Sequence, residues 1–280
     1  MIHTEVGPCF LGRALFISTE KIEVGVTLDV GPRIILLRKP GGENILFGDR
    51  EDQINKDVSA IYGKGAMWHI YGGHRIWLSP EEEKTYYPDN EPVAYEVVGN
   101  EVSFRPAVWK VHDVQTELIL RFTAPDAFDV EMRATNCGKG DKDLCLWGLT
   151  VMKCGGTLRV DLSREDTGYL ANRNLVLWHY TDVRDERLTL ENDAVIVKSN
   201  PKATKAFKLG IYNKQINAEY RYGDATFVKR YAAEEGQYPD YCCNFETYTS
   251  DLIHEVESLS PIRSVQPGET LCHLEHWSLQ

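Results

Sequence analysis

The chain has no phosphate-cradling GxxxxGK[ST] loop, no GxGxxG after a strand, no GxSxG elbow and no HExxH. Nucleotide-binding, serine-hydrolase and zinc-protease readings therefore have no motif to stand on. No apolar run approaches the ~20 residues needed to cross a bilayer. The first residues, MIHTEVGPCFLGRALF, lack the basic and unbroken apolar regions of a signal peptide. Positive charge is also short: 31 Lys and Arg stand against 42 Asp and Glu, a net charge of −11. With no local basic stripe to reverse that balance, neither nucleic acid nor an anionic membrane surface is an expected partner. The seven cysteines are odd in number and show no paired CxxC spacing, which fits reduced thiols in a cytoplasmic protein.

Long helical periodicity is missing as well, and the dominant period is two. In KIEVGVTLDV, Ile22, Val24, Val26, Leu28 and Val30 fall on one face, with Lys21, Glu23, Thr27 and Asp29 on the other. QTELILRFT and FDVEMRATN alternate in the same way, as half-buried strands do. Turn signals such as PGGEN, NCGKGDKD, KCGG and QPGE separate many further short runs of β-branched and aromatic residues. DREDQINKDVSAIYGKG is the least strand-like segment and has room for one short helix. Many closely spaced strands without βα alternation predict an all-β, large antiparallel sandwich. No linker or repeat divides the chain, so residues 1–280 are read as a single domain.

Chemistry-bearing residues concentrate in three places. WHIYGGHRIWLSPE (68–81) sets His69, His74 and Arg75 among Trp68, Tyr71 and Trp77, around a Gly-Gly pair. His69 and His74 lie five apart and project from opposite faces of an extended strand, so no metal site is expected. The glycines allow close approach of a ligand or another backbone. By itself the segment reads as an aromatic core strand with a hydrogen-bonded histidine. Near the C-terminus, Glu246, Glu255 and Glu257 fall on strands; in LIHEVES, His254 and Val256 share one face and Glu255 and Glu257 the other. That carboxylate face is either solvent or a polar cleft; in a cleft, mutual repulsion raises pKa values towards those of a general base. LVLWHYTDVRDERL (175–188) adds Trp178, His179, Asp182, Arg184 and Asp185, as a strand and charged loop or as ligand contacts.

Three segments together resemble the galactose mutarotase-like (aldose 1-epimerase-like) superfamily, in a branch distinct from the mutarotases proper. VTLDVGPRIILLRKPGGENILFGD resembles the family's opening, YGGHRIW its histidine-bearing segment, and PIRSVQPGET the turn after its glutamate strand. The resemblance implies a β-supersandwich with a sugar-binding groove and no cofactor. It also implies an acid–base reaction in which a glutamate takes the anomeric proton while a histidine protonates the ring oxygen. Carried over by position, Glu257 matches the base and His74 the acid; Glu246 and Asn244 would bind hydroxyls. Arg75 would orient the sugar and Trp178 stack on it. One departure stands out: where mutarotases carry a second histidine, TNCGKGDKDLCLWGLTVM offers Trp147. A non-catalytic sugar-binding or sensing protein is therefore the alternative, and a polysaccharide hydrolase or lyase using paired carboxylates ranks third.

Overall fold

The computed structural model describes residues 1–280. It is 51% strand and 4% helix, as the period-two pattern requires. Two ten-stranded antiparallel sheets contain most of the strands. The first runs from His3–Cys9 at one edge to Val176–Leu177 at the other. Its middle is built from the adjacent strands Gly73–Leu78, Leu146–Lys153, Ile253–Leu259, Phe245–Thr249 and Phe207–Ile211. The second runs from Leu188–Leu190 to Ala94–Val98, with Ala225–Ala232, Thr270–Leu279 and Ala127–Asn136 near its centre. The DREDQINKDVSAIYGKG segment holds a single helical turn, Ser59–Tyr62.

Alternation decides where each side chain goes. Leu118, Leu120 and Phe122 meet Val130, Met132 and Ala134 in the main hydrophobic cluster, as their pattern predicts. That cluster also takes Ile76, Leu78, Met152, Val256, Phe245, Phe207, Leu209 and Ile211 from the first sheet. The intervening residues of the same strands face the other way. Trp77, Trp147, Leu149, Val151, Ile253 and Leu259 form a second cluster with Trp68 and Ile70. The small sheet Asn55–Asp57 and Met67–His69 supplies Trp68 and lies over that face. The middle strands of the first sheet are thus buried on both faces, and the two faces carry different chemistry.

The Gly-Gly pair has a backbone explanation. Tyr71, Gly72 and Gly73 all have positive φ (53°, 92° and 66°). A Cβ on Gly72 would sit 2.2 Å from the Phe47 carbonyl oxygen, and one on Gly73 2.2 Å from that of Ile34. The close approach is to neighbouring backbone.

Candidate functional site

Antiparallel register builds the site from one row of residues. Arg75 is directly opposite Leu149, Leu149 opposite Glu257, and Glu257 opposite Glu246. Directly opposed residues share a face, so all four belong to the outer face of the first sheet. Glu255 and Tyr248 form the next opposed pair on that face, and Lys208 is opposite Tyr248 on the following strand. A groove of about 610 Å³ lies on this face; Leu149, Glu255, Tyr248 and Lys208 line it, whereas Arg75, Glu257 and Glu246 are buried and do not border it. Trp68, Trp77 and Tyr86 border it in one half, and Trp147, Trp178, Tyr180 and Tyr248 in the other; Glu81, Glu255, Lys56 and Lys208 supply its charge.

Lys208 is the polar centre. Its Nζ lies 2.7 Å from Glu246 Oε2 and 3.6 Å from Glu257 Oε2, with the rings of Trp147 and Trp178 at 4.8 and 4.7 Å. Trp147 Nε1 donates to Glu257 Oε2 at 2.8 Å, while Glu257 Oε1 has no partner. Burial pushes all three carboxyls up: Glu246 to about 8, Glu255 well above the carboxylate range, and Glu257 in the same direction. Burial opposes the charge on Lys208, but Glu257 and Glu246 hold its ammonium above the usual lysine range. Three carboxyl groups share one ammonium, so they cannot all be ionised at once without a net buried charge. Of the three, Glu257 has both Trp147 and Lys208 favouring its anion.

The expected site residues divide. Glu257, Glu246 and Arg75 lie on the groove face, and Trp178 borders the groove. His74 does not join them. It alternates with Arg75, is fully buried, and sits between the sheets, where Nδ1 bonds the Thr150 hydroxyl at 2.8 Å and the ring packs edge-on against Trp277. Burial lowers its pKa to about 3. The assignment of His74 as the acid partner of Glu257 is therefore corrected: the two side chains leave the sheet on opposite faces. Asn244 is corrected too, since its amide is spent on the Asn213 backbone, accepting from N–H at 3.0 Å and donating to C=O at 2.8 Å. His69 points away from His74 and bonds Asp52 at 2.6 Å. In the 175–188 segment, Asp182 and Asp185 pair locally with Arg184 and Arg187, so only Trp178 and Tyr180 reach the groove.

Lys208 was not anticipated, and Glu255 was placed on the carboxylate face without being given a role. A lysine between Phe207 and Leu209 in an otherwise apolar strand was the available signal for the first; shared parity with Glu257 was the signal for the second.

Comparison with known proteins bears on the fold alone. No protein-family profile matches the chain. No curated protein sequence matches it. Solved structures do. A galactose mutarotase-like protein from Lactobacillus casei ATCC 334 is 10% identical with a TM-score of 0.62, over 95% of this chain and 100% of that one. A galactose mutarotase related enzyme from Lactobacillus acidophilus is 8% identical with a TM-score of 0.57, over 95% and 97%. A TPR-domain containing protein from Parabacteroides distasonis ATCC 8503 is 14% identical with a TM-score of 0.60, over 96% of this chain. The present chain spans about half of that last protein, 47% of its length. The architecture is the galactose mutarotase-like β-sandwich.

Proposed function

We propose that the protein binds a carbohydrate in this groove and interconverts the anomers of an aldose. One observation carries the reading: Glu257 lies beneath an aromatic groove with one oxygen held by Trp147 and Lys208 and the other, Oε1, unpartnered. Aromatic faces suit the C–H faces of sugars, and the free carboxylate oxygen suits a hydroxyl proton. The fold shared with galactose mutarotase-like proteins supports an aldose as the ligand.

With His74 turned inward, the proton donor has to come from the groove. Glu255 borders it, two residues before Glu257 on the same face, and burial beside Glu257 raises its carboxyl well above the usual carboxylate range, the direction a proton donor needs. Glu257 takes the proton of the anomeric hydroxyl while Glu255 gives its proton to the ring oxygen. The C1–ring-oxygen bond breaks, C1 becomes an aldehyde, and rotation about C1–C2 presents its other face. Reclosure returns both protons by the reverse transfers. Because Glu257 must be ionised and Glu255 protonated, the pH–rate profile is bell-shaped. Its rising limb lies above the ordinary carboxylate range, since burial raises Glu257.

Polarimetry tests this. Freshly dissolved aldoses and sugar acids should relax faster with protein than with buffer. Glu257→Gln should lower kcat/KM by about 10²–10⁴-fold with an unchanged circular dichroism spectrum. If no sugar in a broad panel relaxes faster, the catalytic reading fails. Saturable binding without acceleration would favour the second reading, a sugar-binding or sensing protein, which draws support from the groove having no histidine on its border.

A further inference from the structure

Arg75 is only 1% exposed, yet none of Nε, Nη1 and Nη2 has a hydrogen-bond partner. Its guanidinium carbon lies 4.4 Å from the Trp77 ring centroid and 5.6 Å from that of Trp68. Stacking of this kind attracts the cation but leaves the in-plane N–H fork without an acceptor. The indole N–H groups of Trp68 and Trp77 are buried and unpartnered as well. Three side chains in contact therefore present donors alone. Burial pushes the Arg75 guanidinium down to about 9, which leaves it charged at neutral pH. A buried charge is ordinarily paired, so the missing partner is acceptor-rich and negative.

Register fixes where that partner sits. Arg75 and Glu257 lie on one row with Leu149 between them, and Leu149 borders the groove. At about 4.8 Å per strand, their backbones are roughly 10 Å apart. One pole of the row offers N–H donors, and the other offers the unpartnered Oε1 atoms of Glu257 and Glu246. The hydroxyls of a neutral sugar can accept from the first pole and donate to the second, but they bring no negative charge to offset the buried guanidinium.

We infer that the ligand is an anionic sugar, bearing a carboxylate or a phosphate ester that Arg75 and the indole N–H groups of Trp68 and Trp77 receive while its hydroxyls face Glu257 and Glu246. This rests on the groove being the carbohydrate site. Trp68 and Trp77 both border the groove, and Arg75 is covered, so these rings turn as the anion enters. Tryptophan fluorescence reports that movement.

The experiment compares sugars that differ in the acid group: glucuronate and glucose, galacturonate and galactose, glucose 6-phosphate and glucose. Inorganic phosphate and acetate serve as sugar-free probes, and calorimetry and tryptophan fluorescence are the readouts. In the wild type the charged member should bind about tenfold tighter or more, the worth of a charge-assisted hydrogen bond. The uronate and phosphate arms identify which acid group the site takes. In Arg75→Met, which removes the charge and keeps an unbranched apolar stem, the advantage should fall below about twofold, because a neutral thioether donates no hydrogen bond. Equal wild-type affinity for charged and neutral members, or a preference that survives Arg75→Met, overturns the inference and leaves sugar binding standing. A response to phosphate or acetate in the wild type but not in Arg75→Met, with no saccharide bound, supports the anion pocket and overturns the sugar reading. No response to any probe overturns both. Should Arg75→Met fail to fold, the wild-type ratio decides alone.

Discussion

Two lysine–glutamate centres sit back to back across the middle strands of the first sheet, the inner one carried by Lys229 and Glu275 of the second sheet. On the inner face, Lys229 Nζ donates to Thr150 Oγ1 at 2.8 Å, the Val256 carbonyl at 2.9 Å and Glu275 Oε1 at 3.0 Å. Glu275 also accepts from Ser258 and, at 2.6 Å, from Trp277 Nε1. His273 joins through Ser258 and His74 through Thr150. Burial alone would raise Glu275, but Lys229 and the neighbouring imidazoles and hydroxyl hold it at about 2. On the outer face, Lys208 contacts two carboxylates, and Glu257 keeps an oxygen free. Burial is nearly equal in the two centres: Lys229 and Glu275 are fully buried, Glu246 and Glu257 likewise, and the Lys208 side chain is 8% exposed. They differ at the carboxylates: both oxygens of Glu275 have partners, whereas Glu257 Oε1 has none. A satisfied carboxylate fixes the packing of one sheet on the other, whereas one with a free oxygen retains hydrogen-bonding capacity on the groove face.

The sharpest way to break the comparison is to neutralise one ionisable group in each network. Lys229→Met leaves Glu275 charged between the sheets and should cost about 3–5 kcal/mol in urea unfolding, as removing one partner of a buried pair does. On the groove side, Glu246→Gln trades a carboxyl whose pKa is already raised for a neutral amide, and should change stability by about 1 kcal/mol or less. A loss below about 1 kcal/mol for Lys229→Met would mean that the inner network does not anchor the sheets.

pH separates the same two centres with opposite sign. His74, His254 and His273 are lowered by burial to about 3, 3 and 4, and Glu275, against its burial, is lowered by Lys229 and its other partners to about 2. Between these values and the unfolded ones near 6.5 and 4.5, the unfolded chain binds more protons, so stability falls as pH drops through that window. Glu246, raised to about 8, does the reverse: the folded state keeps its proton longer, and stability falls as pH rises from 4.5 towards 8. Urea midpoints from pH 4 to 9 should therefore show loss on both sides. Glu246→Gln should make the alkaline limb shallower and, because the two windows overlap between 4.5 and 6.5, make the acid limb steeper over that interval. If it leaves both limbs unchanged, the groove carboxyls are not held up by burial.

Period two made much of this legible in advance. The shared face of Glu255 and Glu257 could be read from LIHEVES, and the groove occupies that face. The same rule, applied to GHRIWL, aligns His74 with Ile76 and Leu78, both in the main core, and Arg75 with Trp77. The inward face of His74 was thus written in the strand, and assigning it by family position overrode that pattern. Other features depend on strand pairing between residues far apart in the chain. Nothing local says that Leu149 stands between Arg75 and Glu257, or that Lys229 reaches across to Glu275. The bond from Trp147 to Glu257 is of the same kind: it appears only once 146–153 lies beside 253–259.

The smallest expected effect tests the correction most directly. In His74→Phe the edge-on packing against Trp277 is retained, the lone bond to Thr150 is lost, and Nε2, which has no partner, is no longer buried as a polar atom. Losing one neutral hydrogen bond costs about 0.5–1.5 kcal/mol, and removing an unsatisfied nitrogen returns part of it, so the urea midpoint should barely move. Because the ring lies on the face away from the groove, sugar affinity and any anomer-relaxation rate should stay within about twofold of wild type, whereas losing a true general acid costs about 10²-fold or more. A rate loss of that larger size, in a variant as stable as wild type, would return His74 to the chemistry and make the inner network part of the site.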